Sequence, residues 1–207
     1  FEYTYQAIDR PSEGIFRDRG SKFMGYAYPI NTEDEVKEIL SKIKSEHPKA
    51  RHYCWALRLS LDTSVFRLND DGEPTGSAGR PILNTLLSSE LTNILVVIAR
   101  YFGGTLLGIP GLINAYKSAT LAALASANII PKTVNDVYLL EFDYLQMNDV
   151  MKIVKDEHLS ISKQTFETNC SLEINIRKTQ VNKIIAKLDQ IKKIKTTIIL
   201  VENLYSN

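Results

Sequence analysis

Seven of the ten glycines in this 207-residue chain lie between Asn69 and Tyr116, in two clusters that each run into a segment with helical apolar spacing. The first cluster is Asn69-Asp70-Asp71-Gly72-Glu73-Pro74-Thr75-Gly76-Ser77-Ala78-Gly79-Arg80-Pro81. The second is Arg100-Tyr101-Phe102-Gly103-Gly104-Thr105-Leu106-Leu107-Gly108-Ile109-Pro110-Gly111-Leu112. Glycine costs chain entropy and is placed where a backbone needs positive φ or close approach. Two such loops ahead of helix N termini offer backbone N–H groups to an anion, with Arg80, Arg100, Gly103, Gly104, Gly108 and Gly111 as the site. The same loops serve equally as tight connections inside a compact α+β domain.

Around these loops the apolar pattern alternates between periods of two and 3.6. Tyr3 to Ile8 reads as an edge strand, and Pro11-Ser12-Glu13-Gly14 as a turn. Lys22 to Pro29 reads as a second strand. Thr32-Glu33-Asp34-Glu35 is a capping box, followed by Val36, Ile39, Leu40 and Ile43 at helical spacing and a stop at His47-Pro48. Tyr53 to Leu59 alternates as a strand does, with Ser64–Leu68 as its antiparallel partner. Pro81 opens a helix carrying Ile82, Leu83, Leu86 and Leu87. Ile94 to Ala99 is continuously apolar, as in a strand buried on both faces. From Gly111, a helix places Leu112, Ala115, Tyr116, Ala119, Ala122 and Ala123 on one side.

Asn128 to Val134 has no strong periodicity, which divides the chain into domains 1–131 and 135–207. The second reads as strand Val137–Phe142, helix Asn148–Glu157 and strands Leu159–Phe166 and Cys170–Ile176. Helix Thr179–Ile191 and strand Lys195–Val201 complete it. A βαββαβ order of this length is that of a ferredoxin-like domain.

Composition is that of an ordinary globular protein, 44% hydrophobic and 24% charged, with net charge +1, which disfavours a protein that coats nucleic acid. No run reaches a membrane span, and no signal-peptide pattern is visible. Two distant cysteines, Cys54 and Cys170, give no disulfide framework and fit a reducing cytoplasm. The one local charge excess is Arg177–Lys195, seven basic residues against Asp189.

Each candidate chemistry has a structural alternative. His52 and Cys54 share a strand face, as a Cys–His nucleophile pair or as packed neighbours. Asp70, Asp71 and Glu73 suit Mg²⁺ or acid–base work, yet Asp-Asp-Gly is also ordinary turn chemistry. Three histidines without HxxxH or CxxC spacing disfavour a zinc site. Arg100, directly after a buried strand, pairs with one of those carboxylates or faces an anion. Tyr101 and Phe102 stack on bases or pack under the loops. Lys183 and Lys187 share a helix face, as an RNA surface or a solvated one.

His52-Tyr53-Cys54-Trp55-Ala56, Asp70-Asp71-Gly72-Glu73-Pro74 and Arg100-Tyr101-Phe102-Gly103-Gly104, with Gly111-Leu112 and Ala115-Tyr116, resemble in order and spacing the signature of the YigZ/IMPACT family. The resemblance implies an N-terminal α/β domain of the type found in ribosomal proteins and in domain IV of elongation factor G. It implies a ferredoxin-like C-terminal domain similar to the last domain of that factor. It further implies a link to translational regulation through RNA or the ribosome, with no secure catalytic activity, no cofactor and no membrane partner. A binder of phosphorylated small molecules is the alternative. Leu106, Pro110 and Asn114 depart from the family pattern of lysine, a small residue and arginine, so Arg100 and backbone N–H groups carry any anion site.

Overall fold

The computed structural model describes residues 4–60 and 64–201; Tyr3, the expected start of the first strand, lies outside them. The described residues form a mixed α/β protein of three sheets and five α-helices. They divide into two compact units, one built on Tyr5–Lys132 and the other from Thr133 onward. No described helix is long and apolar enough to cross a membrane.

The first unit runs β1 (Thr4–Ile8), β2 (Ser12–Asp18), β3 (Ser21–Pro29), α1 (Glu35–Glu46), β4 (His52–Arg58), β5 (Phe66–Asn69), α2 (Gly79–Ser88), β6 (Ile94–Tyr101), α3 (Gly108–Ala125) and β7 (Ile129–Thr133). Its main sheet is antiparallel, in the order β2-β3-β6-β4-β5. Central β6 is buried from Ile94 through Arg100 because both its faces are covered. On one face, Val36 and Ile43 of α1 pack with Tyr26, Leu57, Leu95 and Val97. On the other, Ile82, Leu83 and Leu86 of α2 join Leu112, Ala115, Tyr116 and Ala119 of α3 to cover Phe23, Cys54, Ala56, Val96 and Ile98. Each fully buried Leu, Ile or Phe in such a layer contributes about 1.5–3 kcal/mol.

Two strands escape the sequence pattern. The stretch read as a turn at 11–14 is the start of β2, which pairs residue for residue with β3. Its signal is steric: Gly14 faces Gly25 across the hairpin, and a Cβ on either would strike the α3 backbone, 2.3 Å from Ala122 C and 2.7 Å from Ala119 O respectively. The small residues of α3 therefore rest directly on the hairpin. The segment read as lacking structure contains β7, which pairs with β1 in a separate two-stranded ribbon; Pro131 is tolerated there because such a strand has open edges.

Helix starts also differ from the expected ones. The Thr32 capping box is only half formed: Glu35 accepts from the Thr32 and Asn31 backbone N–H groups, but α1 begins at Glu35 with no side-chain cap. Pro81 is the third residue of α2. α3 begins at Gly108, three residues before the expected Gly111, with Pro110 in its first turn.

The second unit runs β8 (Asn135–Asp143), α4 (Met147–Asp156), β9 (Ser160–Phe166), β10 (Asn169–Arg177), α5 (Val181–Asp189) and β11 (Lys195–Val201). Its antiparallel sheet has the order β11-β8-β10-β9. Short 3-10 turns, Tyr144–Gln146 and Lys178–Gln180, lead into the two helices. Tyr138, Leu140, Phe142, Leu172, Ile174 and Ile176 alternate inward against Val150, Val154, Ile184 and Leu188. This core draws every one of its buried residues from within the unit. A fragment of residues 135–207 is therefore expected to unfold cooperatively in urea; a molten product with no sigmoidal transition would refute its independence.

Candidate functional site

Both glycine loops converge on the end of the main sheet where β6 finishes and β4 begins. Arg100, paired with His52 across the two strands, holds Glu73 of the first loop: Arg100 Nη1 donates to Glu73 Oε1 at 2.5 Å. His52 Nε2 reaches the same oxygen at 2.9 Å, while His52 Nδ1 donates to the Asp71 backbone carbonyl at 2.7 Å. The Glu73 side chain is 1% exposed and that of Arg100 7%. Of the three carboxylates within reach of Arg100, Glu73 takes it. The guanidinium also lies 5.5 Å from the Phe23 ring centroid and 5.9 Å from that of Phe102, a favourable cation–π arrangement.

Asp70 and Asp71 organise the rest of the first loop. Asp70 Oδ1 accepts from the N–H groups of Ala78 (3.2 Å) and Gly79 (2.8 Å), and its Oδ2 from that of Gly76 (2.9 Å). The chain's own carboxylate thus occupies the N terminus of α2, where the sequence offered N–H donors to an external anion. Asp71 Oδ2 accepts from the Tyr53 N–H at 2.7 Å, tying the loop to β4. No group of three His, Cys, Asp or Glu residues among those described is arranged to hold a metal ion. Arg80 is exposed beyond this loop, its guanidinium 5.2 Å from the Phe66 ring.

The second loop is shaped by contact with the β2–β3 turn. A Cβ on Gly103 would lie 1.9 Å from the Gly20 carbonyl carbon, and the Gly103 N–H donates to Ser21 Oγ at 3.2 Å. Gly104 and Gly108 take positive φ in the turn into α3. At Gly111 the space a Cβ would need is filled by Arg19, whose Nη2 donates to the Leu107 carbonyl at 3.4 Å. α3 has neither a side-chain cap nor an acid in its first turn.

The geometry favours His52 and Cys54 as packed, hydrogen-bonded neighbours over a nucleophile pair. Both histidine nitrogens are spent on loop acceptors. Cys54 is fully buried, its Sγ donating to the Asp70 carbonyl (3.0 Å) and lying 3.2 Å from the Tyr116 hydroxyl. Burial pushes its thiol well above the ordinary range, which disfavours the reactive thiolate. Burial likewise raises Tyr116.

Tyr101 and Phe102 separate. The Tyr101 hydroxyl bonds His47 Nδ1 at 2.6 Å and Lys22 Nζ sits 4.7 Å from its ring, on the α1 side of the sheet. The other histidine nitrogen meets Tyr26, which burial raises to about 12. Phe102 is partly exposed, with Arg51 5.0 Å over its ring. Base stacking on both aromatics at once is therefore not built into the loop. In the second unit, Lys183 and Lys187 both pair with Glu157 at the end of α4, Lys183 at 3.3 Å. The hydrogen bond from Lys187 is the largest of the effects that hold the Glu157 carboxyl below its ordinary range. The lysine face is a clamp between α4 and α5.

Sequence reasoning missed Arg17, Arg19, Lys22, Arg51 and Lys117, which stand around the second loop or along α3. A shallow cleft of about 440 Å³ is lined by Arg17, Asp18, Arg19, Lys22 and Tyr101, with Asp18 3.3 Å from Arg19. Scattered cations make no motif. The one sequence signal is around Lys117: residues 91–135 contain no Asp or Glu.

Removing one partner of a buried ion pair typically costs about 3–5 kcal/mol, whereas replacing both costs much less. Arg100→Ala should lower the urea-unfolding free energy of the first unit by about that amount. Arg100→Met combined with Glu73→Leu should cost less than the sum of the two single changes. In a Cys170→Ser background, iodoacetamide at neutral pH should label Cys54 only at the rate of unfolding; rapid native-state labelling would restore the reactive-thiol reading.

Residues 19–124 match the family model described as the Impact N-terminal domain. The chain is 34% identical to an IMPACT family member of Haemophilus influenzae, over 82% of this chain and 84% of that one. It is 30% identical to the IMPACT family member YigZ of Escherichia coli, over 81% and 83%. The crystal structure of a hypothetical protein superposes with a TM-score of 0.74 at 27% identity, covering 98% of this chain and 100% of that one. The matched domain contains both glycine loops and the Glu73–Arg100 pair that joins them, and the chain belongs to the IMPACT family.

Proposed function

We propose that this protein acts in translational control by binding RNA or the ribosome through the face formed by the second loop and α3 of its first unit. The observation that carries the reading is the electrostatic one. Residues 91–135 supply the second loop and all of α3, with Lys117, without an acidic side chain; Arg17, Lys22 and Arg51 add cations beside them, as does Arg19, which shares Asp18. Phosphate contacts need such cations and N–H donors, and the uncapped start of α3 provides the donors. The family's link to translational regulation supports the role.

We infer further that the second unit is a ferredoxin-like domain and the first is of the elongation factor G domain IV type. The β8-α4-β9-β10-α5-β11 succession with sheet order β11-β8-β10-β9 supports the former assignment. The latter rests on the family resemblance. Binding rather than catalysis fits the loops, since His52, Glu73 and Arg100 are committed to one another and Cys54 is sealed.

Ribosome co-sedimentation and fluorescence anisotropy with labelled single-stranded RNA test this reading across a salt series. Each phosphate contact to single strands contributes about 0.7 to the slope of log K against log salt. The variant Arg19→Glu, Arg51→Glu, Lys117→Glu should weaken binding and flatten that slope by about 2 if all three make contact. No binding at low salt to either target, or an unchanged slope in the variant, would overturn the assigned face.

A further inference from the structure

We propose that a second copy of this chain docks on the start of α3, through a contact in which the Tyr144–Leu145 turn of one copy seats on the Leu106–Ile109–Ile113 face of another. The receiving face is apolar and uncovered. Leu106 is 83% exposed, and Ile109 and Ile113, one helical turn apart, are both exposed on the same side of α3. A hydrophobic residue just before the N-cap ordinarily packs on the fourth helical residue, but here that residue is Gly111, so Leu106 has nothing to close upon. Its free cation is Lys117, which follows Ile113 by one turn with no ion pair among the described residues; Arg19, over Gly111, shares Asp18 at 3.3 Å.

The chain also carries the complement. Tyr144 is 68% and Leu145 90% exposed, on the 3-10 turn leading into α4. Asp143 anchors that turn by capping it and, with Asp149, flanks it with negative charge. Residues 136–151 hold four carboxylates and no Lys or Arg, directly after the acid-free run 91–135. Glu141 stands opposite Lys195 across the sheet, Asp143 shares a cleft with Lys193 and Lys195, and Lys152 follows on α4, so Asp149 is the acid left to the turn. An apolar projection beside an acid thus matches an apolar face beside a base. Charge of this arrangement steers encounter and fixes register, while the apolar side chains supply the burial.

Sedimentation equilibrium of the full chain without nucleic acid, from low micromolar to near-millimolar protein, tests the contact. Weight-average mass should rise with concentration and fall back at high salt. Leu106→Asp and Leu145→Asp should each hold the chain near monomer mass with an unchanged thermal midpoint, since both side chains are exposed. Mixing the two variants should restore a dimer, because one retains the intact projection and the other the intact face. A wild-type chain that stays monomeric throughout, or variants that fail to associate on mixing, would overturn the proposal. Leu145→Asp lies outside the RNA-binding face, so in that variant loss of self-association and loss of RNA binding are read separately.

Discussion

A single carboxylate oxygen, Glu73 Oε1, receives both Arg100 and His52 beneath the first loop, and the geometry of the sheet end depends on it. Isolated, the Glu73 or the Arg100 charge would be expensive to bury; together they close a loop from β5 onto the ends of β4 and β6. The cation–π contacts of Arg100 extend the same centre to Phe23 and Phe102, and Phe23 meets Tyr116 of α3 edge-on at 5.2 Å. One ion pair therefore connects both glycine loops, three strands and the long helix. Glu73 Oε2 and Arg100 Nε are buried beside it without a hydrogen-bond partner among the described residues, so the pair binds through one edge only.

The two loops solve their backbone problem differently. In the first, Asp70 satisfies donors that would otherwise attract a ligand. In the second, no described side chain performs that service at the start of α3. This asymmetry separates a structural loop from an available one, although the glycine content of the two is similar.

Much of the fold was legible because buried faces impose periodicity. The continuous apolar run of β6, the stop of α1 at His47 and the alternating strands of the second unit all follow from what they pack against. β2 and β7 were illegible because neither carries a clear apolar alternation; β2 exists through pairing and through the glycines that admit α3. Within the site, spacing identified three carboxylates near Arg100 but could not choose among them, since Asp70, Asp71 and Glu73 sit within one turn. The choice was made by helix capping, which consumes Asp70, and by the Tyr53 N–H, which consumes Asp71. The partner of Lys183 and Lys187 was equally hidden, because Glu157 lies at the end of another helix and only folding brings it near.

The meeting of Gly103 with Gly20 binds two turns that are far apart in sequence into one mechanical joint. Each glycine faces backbone rather than a side chain, 1.9 Å from a carbonyl carbon at one and 2.8 Å from a carbonyl oxygen at the other. A crowded side chain can be relieved by trimming its neighbour, but backbone offers nothing to trim. Neither position can therefore be rescued by a compensating change at its partner, and mutational drift at this joint should be blocked on both sides independently, as two locks rather than a coupled pair.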